Sequence, residues 1–328
     1  MSRKLLSYTA LGLILGNAAI ADVPKVAVDI APVHSLVSRV MEGVGSPKLI
    51  IPAGASPHEY SLRPSEAKSL QDADMVIRMG EDLAPWMENS IEKLAKNAEV
   101  ITLLEASETK LLDFREGALF EEHDHGDHDD HDDHDDHDKD HEDHDDHDDH
   151  DDHAGHDHGE HDPHAWLSIE NAQTWLNLVA GKLSAADPEN AGVYFGNAAA
   201  ARSEIEELSK EVNSILDPVR GRSFVVFHDA YQYFETSFDF PASGAISLGD
   251  ATDPSASRIA EIQGRVREEG INCVLSEPQY NPNLVETVLE GTDAKTGVID
   301  PLGVNLEPGS KLYGDLIRNM AKSLAGCL

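Results

Sequence analysis

Three things are scarce in this chain: cysteine, positive charge and long apolar runs. Only Cys273 and Cys327 are present among 328 residues, and neither has the spacing of a metal site. Lys and Arg number 25 against 62 Asp and Glu, for a net charge of −37. Such a balance argues against nucleic acid or an anionic membrane surface as a partner. No apolar run reaches the roughly 20 residues that cross a bilayer. The phosphate loop G-x-x-x-x-G-K-[ST] is missing, so ATP hydrolysis would have to come from another subunit. H-E-x-x-H and G-x-S-x-G are missing too, which removes the usual signatures of zinc peptidases and serine hydrolases.

What the N-terminus does hold is an export signal. Arg3 and Lys4 precede an apolar stretch from Leu5 to Gly16, then Ala19-Ile20-Ala21, an A-x-A cleavage site. The expectation is a signal peptide at residues 1–21, cleaved after Ala21, and a mature protein in the periplasm. No cysteine lies near that site to carry a lipid, so the mature chain is not expected to be membrane-anchored. In a reducing cytosol the two cysteines would be buried thiols. In an exported protein a Cys273–Cys327 disulfide is expected instead.

Histidine is abundant in one place. Fourteen of the 18 histidines lie between His123 and His161, spaced by Asp in the pattern H-D-D-H-D-D-H. They are His123, His125, His128, His131, His134, His137, His141, His144, His147, His150, His153, His156, His158 and His161. Imidazole and carboxylate at this density suit divalent metal binding, here as weak accessory sites. Residues 121–163 carry 23 Asp or Glu and one Lys. With no apolar residue larger than Ala from about 121 to 161, the segment cannot offset its ordering entropy, and a disordered loop is expected.

The remaining sequence alternates short apolar runs with helical stretches. Strands are predicted at Lys25–Ile30, Lys48–Ile51, Met75–Met79 and Val100–Leu103, with helices such as Ser35–Glu42 and Pro64–Gln71 between them. The alternation returns after residue 218, from Ser223–Phe227 to a last helix at Leu312–Leu324. A helix at Pro254–Glu269 takes Asp253 as its N-cap. The fold class is therefore α/β, with two similar lobes built on mostly parallel sheets. The N-terminal lobe spans 22–186 and the C-terminal lobe 218–328. Between them, 187–217 reads as one long connecting helix of about 40 Å.

Three of the four other histidines fall at strand-to-helix junctions. His58 stands in Ser56-Pro57-His58-Glu59-Tyr60, His164 in Asp162-Pro163-His164-Ala165-Trp166-Leu167, and His228 directly after Ser223–Phe227. Ligands of open α/β sheets bind at the carboxyl ends of strands. Two halves that each present histidine at such ends point to a metal held between them. Three imidazoles without thiolate fit Zn, Cu or Ni, whereas Mn and Mg call for more oxygen. Asp300, just after Gly297–Ile299, is a candidate fourth ligand or a carboxylate that orients an imidazole; water is the alternative. Glu59 is a candidate orienting neighbour, and His34 a weaker candidate ligand. Asp229 and Trp166 read as supports.

The strings around these histidines carry a resemblance. Ser56-Pro57-His58-Glu59-Tyr60-Ser61-Leu62-Arg63-Pro64-Ser65 resembles the first ligand motif of the zinc-uptake solute-binding proteins of ABC transporters, the ZnuA type. Asp162 to Leu167 resembles the second, Phe227-His228-Asp229-Ala230-Tyr231-Gln232-Tyr233-Phe234 the third, and Ile299-Asp300-Pro301-Leu302-Gly303 a further segment. The resemblance spans nearly the whole mature chain. It implies two α/β lobes joined by a long rigid helix, with zinc between them bound by His58, His164 and His228. It also implies a His/Asp-rich loop ahead of the second ligand and a disulfide in the C-terminal lobe. Related manganese binders carry a carboxylate where this chain has His228, which favours zinc.

The function so implied is a periplasmic zinc receptor, a monomer, that passes Zn2+ as cargo to an inner-membrane permease with its own ATPase subunit. The insert would be an accessory zinc collector. Two other classes stay open at this point. Three histidines and a water also make a hydrolytic zinc site, and the insert could itself be the function, as a metal store, a buffer or a metal-dependent adhesin.

Overall fold

A computed structural model describes residues 23–115, 120, 161–247, 254–280 and 282–328. The expected signal peptide, the loop histidines His123 to His158 and Asp253 lie outside these residues.

The first sheet contains β1 (Val26–Val28), β2 (Lys48–Leu49), β3 (Met75–Arg78) and β4 (Glu99–Thr102), in the order β2-β1-β3-β4. The second contains β5 (Phe224–His228), β6 (Ala245–Ser247), β7 (Cys273–Ser276) and β8 (Lys295–Val298), in the order β6-β5-β7-β8. Every strand pair is parallel. Both sheets thus share one winding, with a switch point between β1 and β3 and between β5 and β7. Helices α1 (Ala31–Val40), α2 (Pro64–Gln71), α3 (Pro85–Leu94) and α4 (Ile169–Ala186) accompany the first sheet. After α5 (Ala191–Leu216) come α6 (Gln232–Phe238), α7 (Ala256–Glu268), α8 (Pro282–Leu289) and α9 (Leu312–Cys327).

Strand composition explains the layering. Val26, Ala27 and Val28 are all buried, as a parallel strand covered on both faces requires. Along β5 the side chains alternate: Phe224 and Val226 join the main core, while Val225 and Phe227 face a second, smaller core with Ile262, Val266, Val285 and Val288 of α7 and α8. The main core is continuous across the molecule, since Val28 and Ile77 of the first sheet belong to the same cluster as Val226 and Leu275 of the second.

Several boundaries differ from the sequence reading, each for a local reason. Helix α1 starts at Ala31 rather than Ser35, because Pro32 sits in its first turn, where a missing N–H costs nothing. His34 is therefore inside a helix, not in a strand-end loop. Ser255 caps α7, accepting a hydrogen bond from the Arg258 N–H at 3.2 Å. The connecting stretch is not one helix from Asp187: a 3-10 turn at Pro188–Asn190 precedes α5. Asp187 holds that corner, accepting from Asn190 Nδ2 at 2.7 Å and from the Tyr194 hydroxyl at 2.9 Å.

Helix α5 has 26 residues, about 40 Å of rise. Arginines from both halves of the chain pin one face of it. Arg39 of α1 donates to Glu204 at 2.8 Å, and Arg318 of α9 donates to Glu211 at 2.8 Å. The two halves also touch directly, where the backbone N–H of Tyr313 donates to Ser35 Oγ at 2.9 Å. At the first switch point the buried Asp29 accepts from the N–H of Ile30 at 2.7 Å and of Met79 at 2.6 Å, so one carboxylate ties the ends of β1 and β3. Burial pushes its carboxyl up to about 6 despite those bonds.

The expected disulfide is present. Cys273 opens β7, Cys327 closes α9, and their Cα atoms are 5.7 Å apart across 54 residues of sequence. A loop of that length is worth about 4 kcal/mol in the chain-entropy description. Replacing both cysteines by serine should lower the unfolding free energy by about that much, read by urea titration of the oxidised protein and the variant. A loss under about 1 kcal/mol would mean that packing alone holds α9.

Candidate metal centre

The three junction histidines converge. His58 comes from the loop between β2 and α2, His164 from the loop that enters a buried 3-10 turn at Ala165–Leu167, and His228 from the last position of β5. His58 and His164 have ring centroids 5.6 Å apart, and His164 and His228 5.2 Å apart. The decisive distance is between the Nε2 atoms of His164 and His228, which are 3.4 Å apart. Two nitrogens bound tetrahedrally to one zinc at about 2.0–2.1 Å lie about 3.3–3.4 Å from each other.

Each of those two rings is turned by a carboxylate on its other nitrogen. His228 Nδ1 lies 2.6 Å from Glu277 Oε1, and His164 Nδ1 lies 2.7 Å from Asp162 Oδ1. The same Asp162 oxygen accepts the His164 backbone N–H at 2.9 Å. A carboxylate behind an imidazole fixes its tautomer and strengthens it as a ligand, leaving Nε2 for the metal. Both carboxylate side chains are buried, at 2% and 1% relative exposure. Tyr231 is buried beside Glu277, and burial together with that carboxylate keeps its hydroxyl protonated well above the ordinary value.

The cavity between the rings is small. It has a volume of about 10 Å³ and is lined by the three histidines with Trp166, Glu277, Gln279, Tyr280, Pro301 and residues of the Ser56-Pro57 turn. That is room for one ion or one water, not an organic substrate. Each ligand loop is braced. Trp86 Nε1 donates to the Pro57 carbonyl at 2.8 Å, and Trp166 Nε1 donates to the Pro301 carbonyl at 2.9 Å. Glu66 accepts from both the Arg63 N–H, at 2.7 Å, and the Tyr60 hydroxyl, at 2.8 Å, fixing the turn after His58.

The other candidates lie elsewhere. Asp300 accepts from the N–H groups of Leu302, Gly303 and Val304, and it lines a separate depression with Val298 and Met320. Glu59 is exposed and does not line the cavity. His34 is buried in α1, with Nε2 3.2 Å from the Pro47 carbonyl oxygen. His161 is outside the cavity, paired with Asp113 at 2.9 Å. Glu277, Gln279 and Tyr280 were missed by the sequence reading, although Glu277 directly follows β7 and so obeys the junction rule that picked out His228.

A second cluster joins the insert to this site. Asp113 and His161 form an antiparallel bridge, and Asp162 N–H donates to the Leu112 carbonyl at 2.8 Å, so both stems of the insert meet. The Tyr233 hydroxyl accepts from Leu112 N–H and donates to the Asp162 carbonyl. Arg115 reaches into the C-terminal half, pairing with Glu235 at 2.7 Å and with Asp229, the neighbour of His228. Burial pushes both carboxyls up, and Arg115 opposes it.

The model of a family described as "Zinc-uptake complex component A periplasmic" matches residues 26–327. The chain belongs to that family. A relative from Paracoccus denitrificans, a high-affinity zinc uptake system protein ZnuA, is 47% identical over 98% of this chain and 98% of its own. The ZnuA of Brucella abortus is 46% identical over 95% and 94%. Among solved structures, a crystal structure of ZnuA superposes with a TM-score of 0.71 at 19% identity, covering 93% of this chain and 99% of its own. FpvC of Pseudomonas aeruginosa, in complex with Mn2+, gives 0.72 at 19% identity, with coverage of 93% and 98%. At those identities the likeness is one of fold. Membership makes this chain a periplasmic zinc-uptake component, with Zn2+ as its cargo.

Removing the carboxylate behind His228 tests the site. Glu277→Gln should weaken zinc binding about 10-fold in a chelator competition. Unchanged affinity would mean that the carboxylate does not set ligand strength.

Proposed function

We propose that this protein captures one Zn2+ between His58, His164 and His228 and hands it to the permease of an ABC importer. The observation that carries this reading is the pair of facing Nε2 atoms, 3.4 Å apart, with each ring's Nδ1 committed to a buried carboxylate. The cavity supports a receptor rather than an enzyme: it admits an ion and leaves no space for a substrate beside it. Energy for transport belongs to a separate ATPase subunit, and the protein works as an exported monomer.

The His/Asp-rich insert acts in this reading as a collecting arm. Its support is the stem, which returns the chain at His161, clamped to Asp113, three residues ahead of His164. Metal gathered on the arm is thereby delivered beside the cleft.

The test is a competitive zinc titration against a chelator of known affinity. It compares the mature protein, a deletion of residues 123–158 that spares the His161–Asp113 clamp, and that deletion with His58→Ala, His164→Ala and His228→Ala. One tight site should survive the deletion and vanish in the triple variant. Loss of all tight binding in the deletion would place the metal in the insert, and make storage or buffering the function. For the arm, cells carrying the deletion should grow more slowly than wild type at limiting zinc. Equal growth would make the arm dispensable.

A further inference from the structure

One group in the cavity wall neither backs a histidine nor braces a loop. Residues Glu277 to Tyr280 form a turn closed by the Tyr280 N–H donating to the Glu277 carbonyl at 3.2 Å, with Pro278 at the position that favours it. The turn points Gln279 into the cavity beside the three histidines. Both polar atoms of its amide, Oε1 and Nε2, are sealed from solvent, and neither has a hydrogen-bond partner. Buried amides are almost always bonded, so an orphaned one at a ligand site marks a missing ligand atom. Glu277 is the one carboxylate among the described residues that line the cavity, and its Oε1 is engaged by His228. Asp300 spends its oxygens on three backbone N–H groups. Among the described residues that line the cavity, no further carboxylate is present to complete a tetrahedral shell around an ion held by the three imidazoles.

We propose that Gln279 determines the fourth position: its Oε1 accepts a hydrogen bond from a water bound to the ion. The inference rests on the zinc reading above. In this arrangement Gln279 is a specificity residue as well as a positioning one. A neutral amide recruits a water and adds no charge. A carboxylate at the same place would bind the ion directly and add a hard oxygen, the donor that manganese prefers.

The experiment uses the mature protein, Gln279→Leu and Gln279→Glu, each first shown to unfold at the wild-type temperature within a few degrees. Zinc and manganese affinities come from chelator competition, and the coordination number from the visible spectrum of the Co2+-loaded protein. Gln279→Leu should bind zinc about 10-fold more weakly, with a changed cobalt spectrum. Gln279→Glu should raise manganese affinity relative to zinc by at least about 10-fold. Wild-type affinity and spectrum in Gln279→Leu would overturn the proposal, as would weaker binding with an unchanged spectrum, which would reduce Gln279 to cavity wall. A wild-type protein without a tight zinc site would sink the zinc reading itself, and the wild-type titration reports that separately.

Discussion

Everything at the centre of this molecule depends on two buried imidazole–carboxylate pairs. Asp162 and Glu277 are carboxyl groups taken out of water, which is costly unless hydrogen bonds or a positive partner answer them. In the proposed zinc-bound state a divalent cation between the rings would supply that partner, with each imidazole standing between the ion and a carboxylate. The pairs also orient the rings, so the metal-facing nitrogens are aimed before any ion arrives.

The fold exists to bring those pairs into register. His58 and His164 come from the first half of the chain, and His228 and Glu277 from the second. The latter two leave adjacent parallel strands, β5 and β7, on either side of the point where the winding reverses, the place where such sheets leave a crevice. A single core draws on both sheets, and Arg39 of one half and Arg318 of the other fasten α5 along one face, so protein contacts hold the halves together. The ordering cost is met in folding rather than in binding.

Much of this was legible in the residues. Alternating strands and helices gave two parallel sheets, and junction context together with the family's motifs singled out His58, His164 and His228, which line one cavity. The rule reached less far where several residues compete for one role. Asp300 and Glu277 both follow strands, and nothing in their immediate sequence says that one caps a loop while the other backs an imidazole. Backbone N–H groups at Leu302 to Val304 decide it, and they are a property of the folded loop. His34, the weaker candidate, lies inside α1, whose first turn holds Pro32. Gln279 and Arg115 gave no signal, since an amide or a guanidinium acquires meaning only from what surrounds it.

The division of the C-terminal half into two unequal cores has a dynamic consequence. Helices α7 and α8 rest on β5 and β7 through Val225, Phe227, Val274 and their neighbours, a cluster not continuous with the main core. Local opening is cheapest where few apolar contacts must part. This layer can therefore loosen while the rest of the molecule stays closed, and α8 starts two residues after Tyr280, the last residue of the turn that holds Glu277 and Gln279. A docking partner that pulled on that layer would act on the strands that carry His228 and Glu277, whereas His58 and His164 are held by other elements.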